Sequence, residues 1–64
     1  MAAIFGLAGL ELTSKEREFF RAARPIGYIL FSRNIATPDQ VSHLVDDLRR
    51  IEPGYRPLVL IDQE

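Results

Sequence analysis

Asp62 and Glu64 are carboxylates separated by one residue, and they close an apolar run, Leu58-Val59-Leu60-Ile61. On an extended chain that spacing puts both side chains on one face. Such a pair suits oxygen ligation of a metal ion, a clamp on sugar hydroxyls, or a general acid beside an electrostatic partner. A strand that ends in polar residues because it meets solvent has the same sequence. What favours ligand chemistry is the place, because α/β folds bind their ligands at the carboxyl ends of parallel strands. Hydrolysis by paired carboxylates needs, in addition, a separation across the substrate that spacing within one strand does not supply. Arg33 and Asn34 follow a second apolar run and fall on the same rim. Arg33 suits a carboxylate ligand, and equally an internal ion pair with Asp62 or Glu64.

Other chemistry-bearing residues point elsewhere. His43, the single histidine, lies opposite Val41, Leu44, Val45 and Leu48 by helical phase. It therefore faces solvent, with no neighbouring ligand. Gly6 and Gly9 belong to no phosphate-loop pattern and no helix starts directly after them, so packing or a turn accounts for them. Phe19 and Phe20 are expected as core anchors rather than a stacking platform for sugars. Asp46, Asp47, Arg49 and Arg50 make a solvated helix face with pairs three or four residues apart.

The elements that position these residues are legible in order. Ala2 to Ala8 is a short apolar run that reads as a buried strand. Thr13-Ser14-Lys15-Glu16 fits a capping box, with Phe19, Phe20 and Ala23 at helical spacing behind it. Pro25 disfavours helical geometry at Arg24 and marks the stop. Ile26 to Phe31 is the second strand, and Ser32 to Ala36 a polar loop. Thr37 as N-cap, Pro38 at the first helical position and Gln40 in the reciprocal capping position open a second helix. Val41, Leu44, Val45, Leu48 and Ile51 form its apolar stripe. Pro53-Gly54 stops it, and Leu58 to Ile61 is a third strand, apolar on both faces.

The result is β-α-β-α-β, an α/β class. Continuous apolar strands between helices imply a parallel sheet covered by helices, joined by right-handed crossovers. With three short strands, both sheet edges would stand open. The chain is therefore expected to be an N-terminal piece of a larger domain, a wider sheet or a barrel. If isolated, it would complete its sheet by self-association.

Composition narrows the function classes. The 64 residues are 47% hydrophobic and 27% charged, which is globular rather than disordered. A net charge of −1 carries no basic footprint for nucleic acid. There is no cysteine, hence no disulfide or thiolate metal site. The stretch from Met1 to Leu12 lacks a basic start and carries Glu11, unlike a secretory signal. No apolar stretch approaches the ~20 residues that span a bilayer. The expectation is a cytoplasmic protein with no membrane or nucleic-acid partner.

Two segments together are more specific. Ile29-Leu30-Phe31-Ser32-Arg33-Asn34, followed about thirty residues on by the strand ending Asp62-Gln63-Glu64, resembles the start of bacterial β-N-acetylhexosaminidases of glycoside hydrolase family three. The resemblance extends over nearly the whole chain, from Gly6-Leu7-Ala8-Gly9 onward. It implies a TIM-like (β/α) barrel, of which this chain would be the opening β-α-β-α-β segment, incomplete by itself. It further implies retaining hydrolysis of terminal β-linked N-acetylglucosamine, from muropeptide fragments during cytoplasmic peptidoglycan recycling, with no cofactor. Asp62 matches the family aspartate that accepts hydrogen bonds from the sugar hydroxyls, a role suited to an acceptor-only carboxylate. Arg33 and Glu64 are candidates for rim support. The nucleophilic aspartate and the acid/base histidine belong to later segments, so the chain alone is expected to be inactive. Beside this stand two alternatives: a metal-dependent barrel enzyme using Asp62 and Glu64, and a non-catalytic module completed by self-association.

Overall fold

Two capping motifs start the two helices. The structure, a computed structural model, describes residues 3–62. Strand β1 (Ile4–Gly6) leads into helix α1 (Ser14–Ala23), then strand β2 (Gly27–Leu30), a 3-10 turn (Ser32–Asn34), helix α2 (Pro38–Arg49) and strand β3 (Leu58–Ile61). At α1 the Thr13 hydroxyl accepts from the Glu16 amide at 3.1 Å and the Glu16 carboxylate accepts from the Thr13 amide at 3.0 Å, the expected capping box. The other Glu16 oxygen accepts from the Ala8 amide at 3.1 Å, which ties the loop after β1 to the helix start.

At α2 the cap forms differently from expectation. Thr37 accepts from the Gln40 amide at 3.1 Å, but the Gln40 carbonyl oxygen accepts from the amide of Ala36. The reciprocal bond lands one residue early because the Gln40 amide nitrogen is engaged at two carbonyls, those of Leu10 at 2.7 Å and Asn34 at 2.8 Å. At its other end, α1 stops where Pro25 requires. Arg24 turns to φ 47° and its amide donates to the Phe20 carbonyl at 2.7 Å. Arg24 Nε also lies 3.3 Å from Glu52 Oε2, outside hydrogen-bond geometry, so that buried oxygen keeps a charge partner but no hydrogen bond.

The sheet is parallel throughout, in the order β1-β2-β3. Phe5 pairs with Tyr28 and Tyr28 with Val59. These three face both helices: Tyr28 and Leu30 are buried in one cluster with Phe20 of α1 and Leu44 and Leu48 of α2, closed by Leu7, Ile51 and Tyr55. The opposite face carries no helix among the described residues. There Ile4 is 49%, Leu58 58% and Leu60 45% exposed. The expectation of a sheet covered on both sides fails for a simple reason: both helices return on the same side, and one layer covers one face. Gly27 sits where β2 and β3 approach closely, since a Cβ there would lie 2.9 Å from the Leu58 carbonyl oxygen.

Inside the core, the Tyr55 hydroxyl donates to the Pro25 carbonyl at 2.6 Å and meets the Tyr28 hydroxyl at 3.0 Å. Tyr55 has one proton and it is committed to Pro25, so Tyr28 donates to Tyr55. Burial, first, and the Tyr55 contact, second, push the Tyr28 phenol well above its usual range. Of the two phenylalanines expected as anchors, Phe20 is buried at 3% exposure. Phe19 is 55% exposed and touches the core through its ring alone, 5.7 Å from that of Phe20. Neighbours on a helix point about 100° apart, so a narrow stripe buries one of them.

Candidate functional site

The carboxyl ends of β1, β2 and β3 lie along one rim, and the segments after them bring the expected residues there. The parallel ladder continues past Ile61, because the Asp62 amide donates to the Leu30 carbonyl at 2.9 Å. Side chains alternate along a strand, so Asp62 shares the helix-free face with Leu58 and Leu60. It is exposed. Gln63 and Glu64 lie outside the described residues, and so does the proposed support from Glu64.

Arg33 is at the other end of the rim. Its Nε donates to the Leu7 carbonyl at 3.0 Å, and its guanidinium carbon stands 4.9 Å from the centre of the Phe31 ring. A Cβ built on Gly6 would lie 3.4 Å from Arg33 Nη2 and 3.4 Å from the Phe31 ring. Gly6 faces the same side as Ile29 and Leu60 by register, so the Arg33–Phe31 pair rests over the helix-free face at the end of β1. The 3.4 Å approaches to Gly6 are ordinary van der Waals distances, so packing at this position does not demand a glycine. Two strand spacings, ~10 Å, separate β1 from β3. This explains why Arg33 and Asp62 form no ion pair; among the described residues the ion pair is Arg24–Glu52.

The rim's framework is Asn34, a role not read from the sequence. It is fully buried although it stands in a turn between exposed neighbours. Its amide nitrogen donates to the carbonyls of Leu7 at 3.2 Å and Gly9 at 2.6 Å, and its oxygen accepts from the Phe31 amide at 2.9 Å. One side chain therefore ties the loop after β1 to the loop after β2. Gln40 adds a second tie through Leu10 and Asn34. Together they hold the turn after β2, which carries Arg33, against the loop after β1.

His43 is exposed and lines a hollow of about 240 Å³ with Leu10, Glu11, Gln40 and Asp47. That hollow belongs to the outer flank of α2, away from Asp62 and Arg33. A larger apolar hollow of about 440 Å³ lies beside Ile35, Pro38, Val41 and Ile61, again on the helix side. Among the described residues no group of three or more histidine, aspartate or glutamate side chains converges. No helix of the described residues is long and apolar enough to cross a membrane. The chemistry available at the rim is therefore that of one acceptor carboxylate and one donor guanidinium, about 10 Å apart on an open surface.

No protein-family model matches the chain. Curated proteins do. It is 43% identical over 61 residues, 95% of its length, to a protein of Methylococcus capsulatus named Beta-hexosaminidase. It is 40% identical over 62 residues to proteins of that name from Stenotrophomonas maltophilia and Xanthomonas euvesicatoria. The chain spans 18% of the length of each of these relatives. This α/β chain is a homologue of the N-terminal portion of proteins named Beta-hexosaminidase.

Proposed function

We propose that the chain is the opening β-α-β-α-β portion of a TIM-like barrel in a glycoside hydrolase that removes terminal β-linked N-acetylglucosamine. The observation that carries the reading is the likeness to proteins named Beta-hexosaminidase, and the winding is compatible with the barrel. Strands in the order β1-β2-β3 with both helices on one side continue naturally into a sheet that curls on itself, helices outside. One β-α-β-α-β half of a doubly wound sheet winds in the same way; the resemblance to glycoside hydrolase family three favours the barrel. The exposed Ile4, Leu58 and Leu60 then become interior layers of the barrel, and the rim with Asp62 becomes part of its ligand-bearing end. The names and identities of the relatives support the activity.

In that setting Asp62 accepts hydrogen bonds from hydroxyls of the terminal sugar and so fixes its orientation at the reacting carbon. Retention of configuration requires a carboxylate nucleophile and an acid/base group, both assigned here to strands and loops after residue 64. We assign muropeptide fragments, met in the cytoplasm during peptidoglycan recycling, as the substrate source.

A chimera tests this reading. The matched 61 residues of the Methylococcus capsulatus relative are replaced by the corresponding residues of this chain, and release of a chromogenic phenol from its N-acetyl-β-glucosaminide is followed. The expected result is turnover by the chimera, none by the 64-residue chain, and a loss of at least about tenfold in kcat/KM on Asp62→Ala, the worth of one hydrogen bond to a charged group. A chimera that turns over nothing, or is indifferent to Asp62→Ala, overturns it. For the chain alone, the open apolar face and unpaired edges also support self-association, which sedimentation at micromolar concentration would detect.

A further inference from the structure

Arg33 is held more firmly than a surface arginine needs to be. Its Nε–H is committed to Leu7, its guanidinium carbon stands 4.9 Å from the centre of the Phe31 ring, and its Nη2 lies beside Gly6. Of the five donors of a guanidinium, the four on the two Nη atoms are not engaged with any carboxylate among the described residues. A fork fixed in this way has already lost its rotamer freedom, so an anion that docks on it has less ordering to offset. The neighbouring ring keeps water from one side, which strengthens a charge-assisted pair.

We propose that Arg33 is a specificity-determining residue that grips an acidic substituent, a carboxylate or a phosphate, on the substrate. The proposal rests on the glycoside hydrolase reading above and adds the substrate's polarity to it. Asp62 and Arg33 stand at opposite ends of the rim, ~10 Å apart across two strand spacings. The acidic group therefore belongs not to the sugar that Asp62 holds but to the part joined through the scissile bond. The substrate lies with its terminal sugar over β3 and its acidic portion over β1. An arginine that did nothing except tie the two loops would show no such preference.

The test is kinetic and uses the chimera. Three phenyl N-acetyl-β-glucosaminides carry a carboxylate, a phosphate or an uncharged carboxamide at the same position of the leaving ring. One acidic substrate is expected to exceed the carboxamide at least about tenfold in kcat/KM, chiefly through KM, and the better acid identifies the group recognised. The preference should shrink as added salt shortens the Debye length from ~10 Å toward ~3 Å. Arg33→Met should bring the ratio to about one, whereas a purely loop-tying role would depress all three substrates together. A ratio near one in the unsubstituted chimera, or one that survives Arg33→Met, overturns the proposal. If Arg33→Met does not fold, Arg33→Lys serves instead: it keeps the charge and loses the fork, and an unchanged ratio is again fatal. Turnover of all three substrates at equal rates refutes this proposal alone; turnover of none refutes the hydrolase reading with it.

Discussion

Replacing Asn34 by alanine should cost a large part of the chain's stability. Three hydrogen bonds disappear, but they are not equivalent. The Phe31 amide has Asn34 Oδ1 as its partner and would be left beside a fully buried position, worth about 1–3 kcal/mol. The Gly9 carbonyl loses a 2.6 Å bond, but Gly9 is half-buried and water can replace part of it, leaving about 1 kcal/mol. The Leu7 carbonyl keeps Arg33 Nε and contributes little. The total is about 2–4 kcal/mol, against ~3–10 kcal/mol for a domain of this length. Urea denaturation followed by far-UV circular dichroism, together with hydrogen exchange at the Phe31 amide, measures both the global and the local loss. Asn34→Asp sharpens the argument. It keeps an acceptor for Phe31 yet turns a carboxylate toward two carbonyls, so it should be at least as damaging as alanine. If Asn34→Asp is tolerated, or if Asn34→Ala costs less than about 1 kcal/mol with Phe31 still protected, the two loops are not held in the manner described.

Further outcomes follow from the core and the sheet. Tyr55→Phe should destabilise more than Tyr28→Phe, by about 1–2 kcal/mol in denaturation, because the former strands both the Pro25 carbonyl and the Tyr28 hydroxyl while the latter leaves the Tyr55–Pro25 bond intact. The raised Tyr28 pKa means that the folded state holds its proton where the unfolded chain, with a phenol near pH ~10, releases it. Stability is therefore fully present below pH ~10 and falls above it by up to ~1.4 kcal/mol per pH unit; Tyr28→Phe should flatten that decline. Gly27→Ala should cost about 1–3 kcal/mol, because its Cβ would meet the Leu58 backbone at 2.9 Å, and thermal melting would show it.

Much of the fold was legible because its signals are local. A threonine three residues before a glutamate, a Thr-Pro pair before an apolar stripe, and a Pro after an arginine each act within one helical turn. Leu58–Ile61 emerged with its predicted bounds, flanked by proline and a polar pair. The remainder depended on contacts remote in sequence. Asn34 reads as one more polar loop residue, since its partners at Leu7 and Gly9 are main-chain carbonyls 25 to 27 positions away. Nothing in the side chains of Leu7 or Gly9 announces that their oxygens need a donor. The Tyr28–Tyr55 pair offered a usable clue, because a tyrosine within an apolar strand needs a partner for its hydroxyl. The uncovered sheet face was misjudged because an apolar strand shows that something must bury it, not that this chain contains the cover.

Leu58 and Leu60 alternate with Val59, and all three are apolar. If the helix-free face met water in the finished protein, its positions would be polar, as in antiparallel sheets with one wet side. Instead the exposed residues are branched aliphatics, the kind that fill the interior layers of (β/α) barrels. Asp62 succeeds Leu58 and Leu60 on the same face, and polarity appears where the strand leaves the sheet. A face that changes from aliphatic to acidic at its carboxyl end fits a dry interior that opens into a ligand site. By contrast, a surface meant only for self-association has no need of the change. Substituting Leu60 by lysine separates the two cases. In the chimera it would bury a charge within a packed layer and should abolish folding, whereas in an isolated chain that self-associates it should yield a soluble monomer.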